Sequence, residues 1–240
     1  MTYLTRRVEV LSEDRPRVRP RLTTSALPTH LIGRNIPGMC PVYKYDPDVV
    51  CQPLRCDRDS VEFWARKYKD PNEHIYIKFI NGPHTDESLD RLFYWKIGAK
   101  DYKGHIVSVY RNFISRRELV ESLPDGISAA AFLAQFPTGG PIYRIFWLHC
   151  CYPNAFPIYD QHVHRTMMYL KTGSADELGD YSTQQKIDVY LVEYLPFYAT
   201  FSGLNFTFEP ESDGIRGRKA DRALWWFGKC LKTRKPQMQR

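Results

Sequence analysis

The chain has 240 residues, enough for one large domain or two small ones, and a hydrophobic fraction of 43% supports a packed core. Its formal net charge of +7 favours a polyanionic partner. The N-terminus is charged and broken by proline, and no apolar run is long enough to span a bilayer. We therefore expect a soluble, cytoplasmic monomer without a membrane partner.

Residues 1–36 have the composition of an irregular basic arm. Four arginines at positions 15, 17, 19 and 21 alternate with Pro16, Val18 and Pro20, and proline prevents a continuous helix there. The arm is either a solvated, extended segment or a strap that lies along DNA phosphates.

Helical patterns follow in chain order from Asp59. Thr85 is a predicted cap for a helix that ends at Gly98, and Pro196 is expected to end or kink a later helix. The run 74–80 fits a strand by alternation or a buried helix by length. Further helices are predicted over 104–115, 116–123, 127–135, 142–151, 161–171, 183–195 and 217–232. The pattern indicates an almost all-α fold.

The most informative stretch runs from Phe136 to Arg165. A Pro-Thr-Gly-Gly turn opens an apolar helix, and after a proline-containing loop Asp160 heads a second helix. Amides in a glycine-rich turn at a helix start attract phosphate, and a carboxylate at a helix N-terminus is held ionised. Cleavage of an N-glycosidic bond in a nucleic acid uses both features, because it builds positive charge on the sugar.

This stretch resembles the helix-hairpin-helix superfamily of DNA glycosylases, which carry a Leu-Pro-Gly-x-Gly hairpin and a Val-Asp-Thr-His-Val-x-Arg-like signature. Here the hairpin reads Phe-Pro-Thr-Gly-Gly at 136–140 and the signature reads Tyr-Asp-Gln-His-Val-His-Arg at 159–165. The resemblance covers about an eighth of the chain, and the two motifs align with the family spacing without a gap. It implies helix for the run 74–80.

Three departures from the family pattern refine this expectation. Members that also cut the DNA backbone carry Lys where this chain has Ile142, which favours a monofunctional enzyme that uses water. Thr138 replaces the first glycine of the hairpin. A C-terminal iron–sulfur cluster needs four spaced cysteines, and Cys230 is the only cysteine after Cys151. We expect no cofactor apart from the monovalent cation that this hairpin often binds in the family.

The resemblance also implies a domain arrangement. Residues 37–240 would form one two-lobed helical domain, with the hairpin lobe at about 100–172 and the second lobe from the remainder. The cleft between the lobes would hold a base extruded from double-stranded DNA.

Asp160 is the candidate catalytic residue, although an aspartate at a helix start is also an ordinary N-cap. The other site candidates fall into two groups. Those assigned to DNA contact are Thr138, Gly139, Gly140, Arg144 and His164, the last on the surface. Those assigned to the base pocket or to support of the Asp160 loop are Tyr159, His162, Trp95 and Arg165.

A run of basic and aromatic residues near the C-terminus is a further candidate surface. Arg218, Lys219 and Arg222 could contact phosphates from a helix whose other face packs in the core.

Two rival functions stay open at this point. The chain could be a catalytically silent DNA-binding module that keeps the hairpin for phosphate contact. It could also be a metal-dependent nuclease with Asp160, His162 and His164 as ligands, although the two histidines would point apart on a helix. The base is not identified, and divergence from repair enzymes leaves room for a role in phage defence against bulky modified cytosines.

Overall fold

The regular structure of the described residues is helical. The computed structural model describes residues 54–55, 58–124, 126–203 and 217–232, and within these ranges no strand occurs. The all-α prediction is confirmed for this part of the chain, whereas the basic arm at 1–36 lies outside it. The α-helices are α1 (Arg58–Lys67), α2 (Glu73–Ile80), α3 (Asp86–Ile97), α4 (Ala99–Asn112), α5 (Arg117–Glu121), α6 (Ala129–Gln135), α7 (Pro141–Cys151), α8 (Gln161–Thr172), α9 (Thr183–Asp188), α10 (Leu195–Gly203) and α11 (Arg218–Lys232).

Capping residues set several boundaries as the sequence predicts. Thr85 and Ser88 form a reciprocal capping box at the start of α3. The chain re-enters a helix directly after Gly98, which has φ +88° and links α3 to α4. Helix α4 therefore begins at Ala99, five residues before the predicted start at 104. The positive φ of Gly98 turns the chain between the two helices without a longer loop.

The helical path does not end at Pro196, so the expectation of a helix end there is wrong. A π-helical segment (Val189–Tyr194) joins α9 to α10, and Pro196 lies in the first turn of α10. The wider π turn removes the need for the hydrogen bond that proline cannot donate, so the helical path continues to Gly203.

Helix α11 holds the fold together by packing against α1 on one side and α8 on the other. At Gly228 a Cβ atom would overlap the His162 carbonyl oxygen of α8. The missing side chain lets the two helices approach closely, and the Arg165 guanidinium donates to the Gly228 carbonyl at 2.6 Å. Thr166 adds a hydrogen bond to the Leu224 carbonyl at 2.7 Å.

A buried cation ties the start of α11 to α2. Arg218 has a side chain that is 3% exposed and contacts both oxygens of the Glu73 carboxylate, while its guanidinium lies 4.3 Å from the Tyr76 ring centre. Arg222 bonds to the same carboxylate. Burial acts to raise the pKa of Glu73, but the two guanidinium groups outweigh it and hold that pKa below its ordinary value.

This ion pair corrects the prediction for the C-terminal helix. Arg218 is enclosed and Arg222 is bonded to Glu73, while Lys219 pairs with Glu62 at 3.2 Å. Arg218 therefore serves the interior instead of a phosphate surface. Among the described helices, none combines the length and apolar composition of a membrane crossing.

Replacing Glu73 by Gln is expected to lower the free energy of unfolding by about 3 kcal/mol, because the buried Arg218 would lose its closest counter-charge and keep the more distant Asp221 at 4.0 Å. Urea unfolding at pH 7 measures the loss. The matched control is Glu62→Gln, which removes a partly exposed carboxylate and should cost less than about 1 kcal/mol. Equal losses in the two variants would contradict the structural role of Glu73.

Candidate active site at the start of α8

Asp160 caps α8 and its carboxylate is fixed by the helix backbone. The residue is extended, with φ −159° and ψ −175°, and its Oδ1 accepts hydrogen bonds from the amides of His162 at 2.8 Å and Val163 at 3.2 Å. These bonds satisfy amides that a helix start otherwise leaves open. The cap interpretation is thus correct, and it fixes the direction of the second carboxylate oxygen.

That second oxygen meets a lysine that sequence reasoning passed over. The Lys96 ammonium, in the last turn of α3, donates to Asp160 Oδ2 at 3.0 Å. The lysine side chain is 7% exposed and the aspartate side chain 17%. Each charge lies at the helix end whose dipole favours it, since Lys96 lies in the last turn of α3 and Asp160 is the N-cap of α8.

The position of Lys96 on its helix contained a signal. Leu89, Leu92 and Phe93 are buried on the core-facing side of α3, and Lys96 continues their three- and four-residue spacing. A lysine on an apolar stripe needs a buried partner or a function.

Asp160 is held ionised. Burial acts to raise the pKa of its carboxyl, but the Lys96 ammonium, the neighbouring His162 and the amide hydrogen bonds outweigh it, so the pKa lies below the ordinary value. A carboxylate has about four acceptor positions, and the contacts of Asp160 with Lys96, His162 and Val163 occupy three of them. One position on Oδ2 remains for a water molecule or a substrate atom.

Asp160 and Lys96 line one cavity of about 90 Å³. The remaining wall combines aromatic and charged side chains with two aliphatic ones, and its members are Tyr68, Asp70, Trp95, Ile158, Val163, Arg218, Asp221 and Trp225. A cavity of about 150 Å³ holds benzene, so the present cavity accepts water but not a whole base. An extruded base would need the wall to open.

Trp95, a candidate for the base pocket, lines the cavity that also contains Asp160. Its ring packs against Tyr76 at 4.4 Å between ring centres. The indole N–H is buried and has no hydrogen-bond partner among the described residues. The buried indole N–H groups of Trp64 and Trp147, which do not line this cavity, have no hydrogen-bond partner among the described residues either.

The hairpin is an exposed corner between α6 and α7. Thr138 and Gly140 are exposed, and Gly139 and Gly140 have φ values of +93° and +80°, which other residues adopt only with strain. A Cβ at Gly139 would overlap the Phe113 ring, and the Thr138 hydroxyl donates to Asn112 at 2.6 Å. The turn is therefore held against the end of α4 with its outer edge free for a ligand. The cation that the family resemblance implies here stays a prediction.

A short series of contacts connects the hairpin to Asp160. Gly139 packs on Phe113, whose ring stacks with Phe93 at 5.1 Å between centres. Phe93 precedes Lys96 by about one helical turn on α3, and Lys96 binds Asp160. Helix α3 thus joins the predicted phosphate contact to the predicted catalytic acid through packed aromatic side chains.

Arg144 is partly buried and donates to the Leu133 carbonyl at 2.7 Å, and burial lowers the pKa of its guanidinium. The side chain thereby ties α7 to α6. Its predicted contact with DNA remains untested.

The surface position predicted for His164 is wrong. The imidazole is fully buried and its Nδ1 lies 2.8 Å from the Tyr159 hydroxyl, which is buried as well. Burial lowers the pKa of His164. Both side chains are buried in the core, so neither is placed to contact DNA or an extruded base. Of the two roles predicted for Tyr159, the support of the Asp160 loop is the one that fits this position.

The supporting roles of His162 and Arg165 agree with their contacts. His162 packs edge-on against Trp225 with ring centres 4.8 Å apart, and its Nδ1 lies 3.2 Å from the Arg165 guanidinium. Arg165 is 1% exposed and pairs with Glu177 at 2.8 Å. Arginine at this position therefore links α8 to α11 and to the Glu177 loop.

The helical geometry of α8 separates the ligands of the proposed nuclease. His164 turns into the core towards Tyr159, whereas Asp160 faces Lys96. In the described part of the chain, no group of three or more His, Cys, Asp or Glu side chains is placed to hold a metal ion.

Comparisons of the whole chain with protein-family models, with curated proteins and with solved structures gave no match. The resemblance to glycosylases therefore rests on residues 136–165, and the function rests on the geometry around Asp160.

The ion pair of Asp160 and Lys96 should make stability depend on pH. The folded pKa of Asp160 is lowered, so its contribution is present above the unfolded value of about 3.9 and is lost as the pH falls through the folded value. Asp160→Asn keeps a good N-cap and removes the ion pair, and we expect it to cost about 1–3 kcal/mol at pH 7.

Urea unfolding of wild type and Asp160→Asn between pH 7 and pH 3 measures this difference, which should shrink towards the acid end. Asp86→Asn is the control, because it removes a half-exposed carboxylate from the first turn of α3. A difference for Asp160→Asn that stays constant with pH would show that Asp160 does not stabilise the fold through its charge.

Proposed function

We propose that the protein is a monofunctional DNA glycosylase. It would extrude a damaged or modified base from double-stranded DNA, hydrolyse the N-glycosidic bond and leave an abasic site. The observation that carries the proposal is the carboxylate of Asp160, which is ionised, fixed by two amides and placed on the wall of a cavity that three aromatic side chains also line.

The chemistry follows from this placement. As the bond between C1′ and the base nitrogen lengthens, positive charge develops on the sugar, and a nearby carboxylate stabilises it. The same carboxylate can orient a water molecule and accept its proton when the water oxygen bonds to C1′. Because the protein backbone already holds Oδ1, little reorganisation of Asp160 is needed during the reaction.

DNA contact is supported by the hairpin and by the net charge. The exposed amide edge at Thr138 and Gly140 is suited to a phosphate, as backbone N–H groups in a tight turn attract anions. The net charge of +7 adds attraction to the duplex that does not depend on sequence.

Base recognition would use the aromatic wall of the cavity. Tyr68, Trp95 and Trp225 line the cavity, and a rearrangement of their rings would let an extruded base stack on them. Trp225 is partly exposed, so its movement can enlarge the cavity when DNA binds. The cavity beside Asp160 is thus too small for a base in the absence of DNA and would open when DNA binds.

Digestion of DNA from many sources, with mass spectrometry of the released bases, tests the proposal. The panel should include phage DNA with bulky modified cytosines, because the sequence does not identify the base that is removed. Wild type should release a free base and leave sites that break only on alkali treatment.

Asp160→Asn should lower the rate of release at least about 100-fold while keeping salt-sensitive binding to duplex DNA. Asp86→Asn, at the start of α3, is the matched control and should retain the wild-type rate. Duplex binding without release from any DNA would favour the silent binding module. Normal release by Asp160→Asn would refute the catalytic assignment.

A further inference from the structure

The side chain of Lys96 is placed more deeply than a surface lysine. It is 7% exposed, its ammonium lies 5.7 Å from the Phe146 ring centre, and Asp160 Oδ2 accepts from it at 3.0 Å. Removing an ammonium from water costs free energy that only a close counter-charge offsets. Its position at the cavity that contains the candidate catalytic acid suggests a role beyond neutralising one carboxylate.

An ammonium beside Asp160 conflicts with a role for Asp160 alone. A fixed positive charge at this distance cancels much of the attraction that the carboxylate offers to a cationic sugar. Bond cleavage also produces a second charge, because the electron pair of the C1′–N bond moves onto the departing base. A carboxylate and an ammonium side by side can stabilise the two opposite charges that develop together.

We infer that Lys96 is a second catalytic residue, which donates a proton to the base as it leaves. This inference rests on the proposed glycosylase function. Lysine is suited to the role because its ammonium can lose a proton, whereas a guanidinium at the same place would stay charged.

The cycle balances with the groups at hand. The C1′–N bond breaks, its electrons pass to the base, and a proton moves from Lys96 Nζ to the base, which departs neutral. A water oxygen bonds to C1′ and gives a proton to the Asp160 carboxylate. Asp160 then passes this proton across the 3.0 Å contact to the neutral Lys96 amine, so both groups regain their starting charges.

The dependence of the rate on the leaving base separates this role from a purely structural one. Uracil leaves as an anion unless it is protonated, whereas 7-methylguanine carries a positive charge and leaves neutral without a proton. A proton donor accelerates the first reaction and not the second, while damage to the fold slows both.

The experiment measures single-turnover base release from duplexes with one deoxyuridine, one 5-fluorodeoxyuridine or one 7-methyldeoxyguanosine. Lys96→Met should slow uracil release at least about 100-fold, 5-fluorouracil release less, and 7-methylguanine release less than about fivefold. Lys171→Met is the matched control, because Lys171 forms an exposed ion pair with Glu193 at the far end of α8, and it should behave as wild type.

Lys96→Arg keeps the charge beside Asp160 and guards against a folding defect. It should slow uracil release as much as Lys96→Met does and 7-methylguanine release far less. Wild-type uracil release by Lys96→Arg, or equal slowing of all three bases by Lys96→Met, would overturn the inference and leave the glycosylase function standing. A borohydride-stable adduct between Lys96 and abasic DNA would also overturn it, since the amine would then be a nucleophile.

Absence of release by wild type from all three duplexes and from the panel of DNA from many sources would instead count against the proposed function itself. The two failures are therefore distinguishable.

Discussion

The close crossing of α8 and α11 at Gly228 is the constraint on which the candidate site depends. Because no side chain stands between Gly228 and the His162 carbonyl, the two helices pack backbone to backbone. This contact places the start of α8, with Asp160, on the same cavity as Arg218 and Trp225 of α11. The hydrogen bonds of Arg165 and Thr166 to α11 carbonyls fix the crossing.

Two buried cations in the described interior share one arrangement, in which a counter-charge and an aromatic ring lie beside the charge. Arg218 has Glu73 and the Tyr76 ring, and Lys96 has Asp160 and the Phe146 ring. The two pairs differ in one respect. Glu73 is bonded to two guanidinium groups, whereas Asp160 is bonded to a single ammonium and lies on the wall of the cavity. The first arrangement fits a structural role, and the second leaves a group able to react.

Local signals predicted much of the fold because local interactions set the helix ends. Thr85 caps α3, and Asp160 caps α8, as their side-chain chemistry indicates. The continuation of the helix through Pro196 was not predictable, because a π-helical segment next to a proline leaves no simple pattern in the sequence. The early start of α4 shows that a single glycine can separate two helices without a loop.

The candidate site was predicted only where a single residue gave a local signal of its own. Asp160 and Trp95 were identified, but the ion pair of Asp160 with Lys96 joins residues from α3 and α8, and that pairing depends on tertiary packing. His164 was misplaced on the surface because a histidine in a helix gives no sign of the face it occupies, and here Tyr159 supplies a buried partner. Arg218 was misplaced for the same reason, since Glu73 lies far away in sequence.

The central claim is that Asp160 stabilises a positively charged sugar. Its most direct test compares the affinity of the protein for two duplexes, one with a cationic pyrrolidine in place of a deoxyribose and one with a neutral tetrahydrofuran. Wild type should bind the cationic duplex at least about tenfold more tightly, because the Lys96 ammonium opposes only part of the attraction of the carboxylate, and Asp160→Asn should lose that preference. Equal dissociation constants for the two duplexes in wild type would contradict the account.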